Sequence, residues 1–494
     1  MKVLLVWRPA LLLAVSATVF LTSCKKTEEV SVAPSNVSST TAATGAVTDT
    51  EVNDWILQNM QTYYFWNDKI PANPNKSLSP DQFFTSLLNT YNATSNADGD
   101  RFSWIQASAE TLKASLSGQS KTTGMQYKLY YRDNTKTTVI ASVLYVLPDS
   151  PAARAGIKRG DVISKVNGQT LTGTNYSELL SGSGSDTYTY GFATVAANGS
   201  VTDTDQTKQV TAIVFQEDPV FLDTTYTVNG KTIGYVVYNQ FIPGVYKSDG
   251  TTDKTYDLKL DNIFGKFRQK GVNELVLDLR YNRGGYVSSA VNLASSIGKN
   301  IDASKVFYSQ KWNPTAAAAY AAKYGANWNI QNFVTKSTNI GANLSRVFVL
   351  TTNSTASASE LIINGLRPFM TVTTIGTTTV GKNVGSITIS DNTGRIKWGI
   401  QPITFKSANA QGFTEYGSGF TPSVEVKEPT IAMKPFGDLS EPMLSEAVFQ
   451  ITGVRAARRA ASVEIDRPFI GSSLDEKAGG GNMYVNDTPL GRIH

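Results

Sequence analysis

The chain has 494 residues, of which 41% are hydrophobic and 17% are charged. This length allows two to four domains with substantial cores. The formal net charge of +5 is spread thinly, and the basic cluster of Arg455, Arg458 and Arg459 lacks any nucleic-acid motif, so a solvated helix face is favoured over a nucleic-acid partner. The single cysteine, Cys24, excludes an intramolecular disulfide framework and a cysteine-based zinc site.

The N-terminus has the pattern of a signal peptide, predicted over residues 1–23. Lys2 and Arg8 supply positive charge, and residues 9–20 form an apolar stretch too short to span a membrane stably. The run Leu-Thr-Ser-Cys that ends at Cys24 resembles the lipobox of bacterial lipoproteins. That resemblance implies lipidation of Cys24 and a lipid anchor in the bacterial cell envelope, with the outer membrane favoured and its face left open. The alternative is an ordinary secretory signal with an incidental cysteine.

The next two segments differ in composition. Residues 24–50 are rich in Ser, Thr, Ala and Val without periodicity, which predicts a flexible tether. Residues 51–100 then show large apolar side chains at helical spacing, beginning with Val52, Ile56 and Met60. We predict a small N-terminal helical region whose apolar stripe belongs to the core.

A β-rich domain is predicted over residues 101–218. Residues 149–168 read as a short helix, a glycine turn, a strand and a hairpin turn, and this string resembles the signature of PDZ domains in bacterial proteases. In such domains a glycine-containing loop captures a peptide's C-terminal carboxylate while the peptide adds a strand to the sheet. The corresponding candidates are Gly124, Met125, Gln126 and Tyr127, although a plain strand start explains them nearly as well.

Residues 219–451 alternate between buried strands and amphipathic helices, which predicts parallel strand pairing. The strands are expected at residues 233–241, 274–279, 347–350 and 371–375, and the helices at 256–269, 286–297 and 357–368. Residues 452–494, which contain three consecutive glycines, are predicted to form a poorly ordered or loosely docked C-terminal tail.

Two loops of this region carry candidate chemistry. Gly284 and Gly285 follow one predicted strand, where paired glycines let backbone N–H groups approach a ligand. Ser357 follows the next strand and opens a helix, and Ser357-x-x-Glu360 also fits a purely structural capping box. The only histidine is His494, the last residue, so a serine nucleophile would need another base. Lys382, 25 residues after Ser357, is the candidate.

Taken together, these motifs resemble the C-terminal processing peptidases, which are serine–lysine proteases. The resemblance covers about residues 50–430, including the late segment 417–422. It implies a crotonase/ClpP-like α/β protease core with an inserted or preceding β-rich PDZ domain. It also implies Ser357 as nucleophile in preference to Ser359, and Lys382 as general base. The backbone N–H groups of Ala358 and of Gly284 or Gly285 would form the oxyanion hole.

The lysine must lose its proton to act as a base. A model lysine titrates near pH 10.4, so neutrality near pH 7 requires a shift of roughly 3 units, or about 4 kcal/mol. Burial away from carboxylates is the expected cause. Two positions depart from the family pattern: Ser386 stands where a glutamine often orients the lysine, and Arg283 stands where proline is common. Ser386 is retained as a candidate catalytic residue, because its hydroxyl could still accept a hydrogen bond from the lysine amine.

The sequence therefore predicts a membrane-anchored serine endopeptidase that acts on protein or peptide substrates without a metal or cofactor. The principal alternative is a lipoprotein scaffold that binds peptides but has lost efficient catalysis, an interpretation motivated by residues 283 and 386. A glycan-binding surface module is a third alternative. Homo-oligomer formation is left open.

Overall fold

The computed structural model describes residues 46–182, 184–455, 465, 467–477, 481 and 483–485. Cys24, His494, the predicted signal peptide and nearly all of the tether lie outside the described residues. From Val47 onward the described residues form one compact unit.

The helices predicted to begin at residues 256, 286 and 357 each begin within one residue of those positions. Thr48 and Glu51 form a capping box at the start of the first helix, whose buried stripe includes Val52, Ile56 and Met60. In chain order the α-helices are α1 Asp49–Tyr63, α2 Pro80–Ser86, α3 Ala109–Leu116, α4 Pro151–Arg154, α5 Thr255–Gln269, α6 Val287–Ile297, α7 Pro314–Tyr324, α8 Ala358–Leu366 and α9 Pro442–Thr452. Short 3-10 or π turns cover Asn67–Lys69, Glu178–Gly182, Gly341–Asn343 and Ser473–Asp475.

The strands occur in both predicted domains and in the C-terminal tail. In chain order they are β1 Trp104–Gln106, β2 Gln119–Thr122, β3 Met125–Tyr131, β4 Val139–Val146, β5 Val162–Val166, β6 Gln169–Thr170, β7 Thr187–Val195, β8 Val201–Thr211, β9 Ile213–Gln216, β10 Val220–Val228, β11 Lys231–Tyr238, β12 Glu274–Asp278, β13 Gly285–Tyr286, β14 Val306–Trp312, β15 Ile330–Asn332, β16 Arg346–Thr351, β17 Thr371–Gly376, β18 Val384–Ile387, β19 Ile389–Ser390, β20 Gly399–Gln401, β21 Ile403–Asn409, β22 Val424–Glu425, β23 Phe469–Ser472 and β24 Met483–Val485.

The central sheet of the α/β region has the order β10-β11-β12-β16-β17-β22. Strands β11, β12, β16 and β17 pair in parallel, so the predicted parallel pairing is confirmed. Alternate residues of β11 point to opposite faces: Val236 packs with α5, α6 and α8, whereas Tyr235 packs with α9. The sheet is therefore covered by helices on both faces, as parallel sheets require.

The PDZ-like domain contains strands β3, β4, β5, β7 and β8, which are neighbours in this order in one sheet. Its separate core includes Val143, Ile163 and Phe192. A further strand, β23, pairs antiparallel with the outer edge of β3.

A second six-stranded sheet of the α/β region has the order β13-β24-β18-β21-β14-β15. The prediction of a loosely docked tail is wrong for β23 and β24, because each pairs with a distant strand. Within the described residues, no helix combines the length and the apolar character that crossing a membrane would require.

Candidate active site

The loop from β16 to α8 holds Ser357 in a strained backbone conformation. Ser357 has φ 64° and ψ −113°, a region that non-glycine residues rarely occupy. Long-range hydrogen bonds hold this loop in place: Thr355 Oγ1 donates to the Leu279 carbonyl at 2.9 Å, and Ala356 N–H donates to the Asn282 carbonyl at 3.1 Å. Strain of this kind persists only where the surroundings enforce it, and it concentrates at functional sites.

The Ser357 hydroxyl is buried and has no hydrogen-bond partner among the described residues. Ser357 and Glu360 have capping-box geometry, but the hydroxyl makes no side-chain cap hydrogen bond. Only the reciprocal bond forms, from Ser357 N–H to Glu360 Oε2 at 2.8 Å. The Ser359 hydroxyl, by contrast, donates to the Asn282 carbonyl at 3.0 Å. The structural cap function therefore does not occupy the Ser357 oxygen, whereas Ser359 has a structural partner.

Lys382 is fully buried, with 0% of its surface exposed. Burial holds the pKa of its ammonium well below its ordinary value, and the positive charge of Arg283 acts in the same direction, while Asp100 and Glu360 oppose the shift. The amine lies 4.3 Å from the centre of the Phe102 ring. The lysine is thus buried as expected, but two carboxylates, Asp100 and Glu360, lie near enough to oppose the shift, so the expectation of a setting away from carboxylates is wrong.

Gly381 must be glycine for the chain to turn into this position. Its φ is 85°, and a Cβ there would come within 2.3 Å of the Gly417 carbonyl oxygen and 2.4 Å of Gly419 N. The late segment 417–422 thus packs directly against the turn that contains Gly381 and Lys382, which we call the lysine loop. Arg101 holds the two loops together by donating to the carbonyls of Gly381 and Gly417, at 3.1 and 3.3 Å.

Glu360 joins the serine loop to the lysine loop. Its carboxylate accepts from Ser357 N–H at 2.8 Å, from Gly381 N–H at 2.7 Å and from Lys382 N–H at 2.7 Å. It also accepts from the Thr379 hydroxyl at 2.5 Å. Burial raises the pKa of Glu360 above its ordinary value, although the hydrogen bonds to its carboxylate oppose this shift. One buried carboxylate therefore sets the relative positions of the two predicted catalytic residues.

Asn282 joins the serine loop to the glycine loop, the segment after β12 that contains Gly284 and Gly285. Its side-chain amide donates to the Tyr238 carbonyl at 2.8 Å, and its Oδ1 accepts from Gly284 N–H at 2.9 Å. Its carbonyl receives the bonds from Ala356 and Ser359 described above. Because the Gly284 N–H is engaged, Gly285 and Ala358 are the better candidates for oxyanion donors. Gly285 has φ 134°, and a Cβ there would approach the Phe241 carbonyl oxygen to 2.2 Å.

The two departures from the family pattern both lie against the C-terminal tail. Ser386 is buried, and its hydroxyl donates to the Met483 carbonyl at 3.3 Å. Arg283 forms an ion pair with Asp475 at 2.8 Å. Ser386 and Arg283 therefore each replace the usual family residue with a side chain that has a hydrogen-bond or ion-pair partner in the tail.

The predicted peptide-binding loop borders a cavity of about 380 Å³. Met125, Gln126 and Tyr127 line this cavity at the start of β3. Gly124 is buried, and its N–H donates to Thr122 Oγ1 at 3.0 Å, so this one N–H is not exposed as the carboxylate-capture prediction requires.

Sequence reasoning did not identify three features of the site: the linking function of Glu360, the hydrogen bonds of Asn282 and the strands of the tail. The Ser-x-x-Glu spacing was a signal for Glu360, but a local cap explained it. Among the described residues there is no cluster of three or more metal-ligating side chains.

The comparisons with known proteins assign this architecture. A model of peptidase family S41 matches residues 232–426, a model of the S41 N-terminal domain matches residues 51–104, and a PDZ model matches residues 142–187. The chain belongs to peptidase family S41. The predicted α/β core with a PDZ domain and an N-terminal helical region is thereby confirmed.

Individual S41 relatives agree with this assignment. The chain is 26% identical over 279 residues to a carboxyl-terminal-processing protease of Picosynechococcus, covering 56% of this chain and 57% of the relative. It is 26% identical to a protein of Staphylococcus aureus named "Probable CtpA-like serine protease", covering 57% of this chain and 49% of the relative. The chain thus spans about half the length of these curated relatives.

A solved structure covers more of the chain. A crystal structure of a protein from Bacteroides fragilis named "Putative S41 protease" is 28% identical with a TM-score of 0.65. The match covers 81% of this chain and 98% of the other. The S41 fold therefore extends over most of the described residues.

Proposed function

We propose that this S41 chain is a serine endopeptidase in which Ser357 is the nucleophile and Lys382 is the general base. One observation carries the proposal: the same Glu360 oxygen accepts from the backbone N–H groups of Ser357 and Lys382, at 2.8 and 2.7 Å. The lysine is fully buried with a lowered pKa, and the serine hydroxyl has no hydrogen-bond partner among the described residues. Buried groups with strongly perturbed pKa values concentrate at functional sites.

The chemistry needs only the groups already named. Neutral Lys382 Nζ takes the proton of Ser357 as Oγ attacks the substrate carbonyl carbon. The backbone N–H groups of Gly285 and Ala358 stabilise the oxyanion, and the positive end of α8 adds to this. Protonated Lys382 gives its proton to the leaving amine, and water then hydrolyses the acyl-enzyme. Because the base must be neutral, kcat/KM is expected to rise with pH through the lowered pKa of Lys382.

The PDZ domain would recognise the C-terminal part of a polypeptide substrate. The curated relatives include one named a carboxyl-terminal-processing protease, and we extend that substrate class to this chain as part of the proposal. An added peptide strand would pair with the edge of β3 in place of β23, and the cavity beside Met125 and Gln126 would receive side chains.

The N-terminal sequence supports a lipid anchor at Cys24. Under this proposal residues 25–46 tether the peptidase to a membrane of the bacterial cell envelope, and substrates reach the site from the adjoining aqueous space.

The test uses Ser357→Ala and Lys382→Ala, assayed on an unfolded protein substrate. Each variant should lose about 10³-fold or more in kcat, whereas the matched exposed variants Ser304→Ala and Lys305→Ala should cleave like the parent. Cleavage by both site variants at the parental rate would refute the assignment. A parent that binds C-terminal peptides without cleaving any substrate would support the scaffold alternative.

A further inference from the structure

The C-terminal segment, of which the structure describes residues 465, 467–477, 481 and 483–485, contacts the PDZ domain at its start and the candidate active site at its far end. At its start β23 pairs antiparallel with β3, with Phe469 opposite Tyr130 and Ser472 opposite Lys128. The Arg467 side chain is 3% exposed and donates to the Arg132 carbonyl at 3.2 Å. The segment is therefore bound to the PDZ sheet by both backbone and side-chain contacts.

These contacts use the strand edge that a PDZ ligand would need. Tyr127 N–H donates to Ser473 Oγ at 2.9 Å, and Ser472 Oγ donates to the Tyr127 carbonyl at 3.1 Å. Ser473 Oγ also lies 2.8 Å from Gln126 Oε1. Both backbone groups of Tyr127 are thus engaged. A peptide that adds a strand to the edge of β3 must first displace β23.

Between its two strands the segment is tied to the body of the protein. Asp475 pairs with Arg283 at 2.8 Å, and Lys477 pairs with Glu217 at 2.6 Å. Leu474 is buried in a small apolar cluster that also contains Tyr145 and Tyr281. Arg283 belongs to the glycine loop, so the segment contacts the candidate site before it reaches the second sheet.

At its far end the segment fills a gap in that sheet. β24 lies between β13 and β18 and is parallel to both, with Met483 opposite Gly285 and Tyr484 opposite Ser386. The Tyr484 ring packs edge-on against Tyr286 with ring centres 4.4 Å apart, and its hydroxyl donates to the Leu116 carbonyl at 2.6 Å. Met483 and Tyr484 are 0% and 2% exposed.

The position of this gap relates it to the proposed chemistry. β13 begins at the candidate oxyanion residue Gly285, and β18 begins two residues after Lys382. Without β24, two strand edges would face one another across a slot that accepts one extended chain, and unpaired edges of this kind recruit strands. The slot adjoins the glycine loop and the lysine loop at once.

We propose that the C-terminal segment is an internal ligand that occupies the peptide-binding edge of the PDZ domain and a polypeptide-binding slot between β13 and β18. The assignment of the slot to substrate rests on the proposed peptidase function. The occupant indicates the ligand class, an extended polypeptide with bulky apolar or aromatic side chains on successive residues, like Met483, Tyr484 and Val485. A tethered occupant competes at an effective concentration in the mM range. The full chain is therefore restrained until the segment is displaced or removed.

Binding tests this proposal without requiring cleavage. A fluorescent peptide of residues 465–488 is titrated into two forms of Ser357→Ala, the full chain and a truncation that removes residues 456–494. The truncated form should bind the peptide at least tenfold more tightly, because the tethered competitor is gone. Equal affinity in a truncated protein that retains its circular dichroism spectrum would overturn the inference.

Point variants cover the case in which the truncation does not fold. In the full chain with Ser357 intact, Tyr484→Ala removes the aromatic contact in the slot, and Asp475→Lys repels Arg283. Each should raise kcat/KM at least tenfold, and Tyr324→Ala, at an exposed residue of helix α7, should not. No rise for either variant in an active parent would contradict the inference. A gain in peptide affinity without cleavage by any form would support the internal ligand while refuting the peptidase assignment.

Discussion

The hydroxyl of Ser357 and the amine of Lys382 both lie in environments that reduce the stability of the folded protein. The serine has a strained backbone and a buried hydroxyl without a partner, and the lysine is buried with a lowered pKa. Natural proteins retain such costs mainly where function requires them. Removing the costly group should therefore stabilise the fold while it abolishes the proposed activity.

Lys382→Met tests this relation. In the unfolded chain Lys382 binds its proton up to about its ordinary pKa, whereas in the folded chain it loses the proton at lower pH. Lys382 therefore costs stability in full below its folded pKa, and the cost falls to zero as pH rises to the unfolded value. We expect the variant to melt at a higher temperature than the parent at neutral pH, with a gain that shrinks toward alkaline pH. Thermal unfolding across pH measures this, with exposed Lys305→Met as control; a lower melting temperature throughout would contradict it.

Glu360→Gln tests the link between the two loops. A carboxylate can accept all four hydrogen bonds seen here, whereas an amide turns an NH₂ group toward some of the same donors. At least one buried N–H should lose its partner, at a cost of about 1–3 kcal/mol. We expect lower stability to urea and a fall in kcat that exceeds any rise in KM, because Ser357 and Lys382 lose their common support. The exposed variant Glu425→Gln is the control, and an unchanged kcat would rule out this positioning function.

Buried charges connect the elements around the site. Arg280, which follows β12, pairs with Asp278 at 2.8 Å, with Glu441 at the start of α9 at 2.7 Å, and with Glu428 at 3.1 Å. Arg159 of the PDZ domain pairs with the same Glu428 at 2.6 Å. This network ties the central sheet, α9 and the PDZ domain to one another, so its loss should reduce the stability of both domains.

Acid should weaken this network within a defined window. Burial alone would raise the pKa of Glu428, but Arg159 and Arg280 lower it from its usual 4.5 to about 2. A carboxylate with a lowered folded pKa contributes stability above its unfolded pKa and loses it as pH falls to the folded value. We expect the free energy of unfolding to fall between about pH 4.5 and 2. Glu428→Gln should show a smaller fall over that window in urea titrations, and an identical fall would contradict this account.

The predictability of each element follows from the range of the contacts that stabilise it. Strands β11, β12, β16 and β17 are buried apolar runs separated by amphipathic helices, so their type and parallel pairing follow from the sequence. β23 and β24 contain three or four residues each, near glycines and without alternation. They are strands only because distant edges of β3, β13 and β18 pair with them, and no local pattern encodes that.

In the candidate site, too, the features carried by short motifs could be predicted, whereas contacts between distant residues could not. Ser357, Lys382 and the glycine pair were predicted from the resemblance, which depends on short motifs. The Glu360 contact with Ser357 spans three residues, but its contacts with Gly381 and Lys382 span 21 and 22 residues and were not predictable from spacing. Ser386 and Arg283 looked like losses in the sequence because their tail partners lie about 100 and 200 positions away.

At the scale of the whole molecule, the same short segment contacts the PDZ edge, the glycine loop and the second sheet. A ligand at either peptide-binding surface must therefore compete with one covalently attached chain. By thermodynamic linkage, release of the segment from one surface lowers the cost of releasing it from the other. The proposed anchor at Cys24 would add a second constraint, because it confines the peptidase to substrates near a membrane.

Cys24→Ser tests that anchor. A lipidated cysteine would insert acyl chains whose burial contributes about 0.8 kcal/mol per CH₂ group, and no described helix offers an alternative membrane span. We expect the parent, expressed in a bacterial host, to incorporate labelled fatty acid and to sediment with membranes, and the serine variant to lose the label and remain in the supernatant. Ser35→Ala in the tether is the control and should behave like the parent. Continued incorporation of the label by Cys24→Ser would assign the lipid to another residue, whereas a parent without label would leave Cys24 as an incidental cysteine after an ordinary secretory signal.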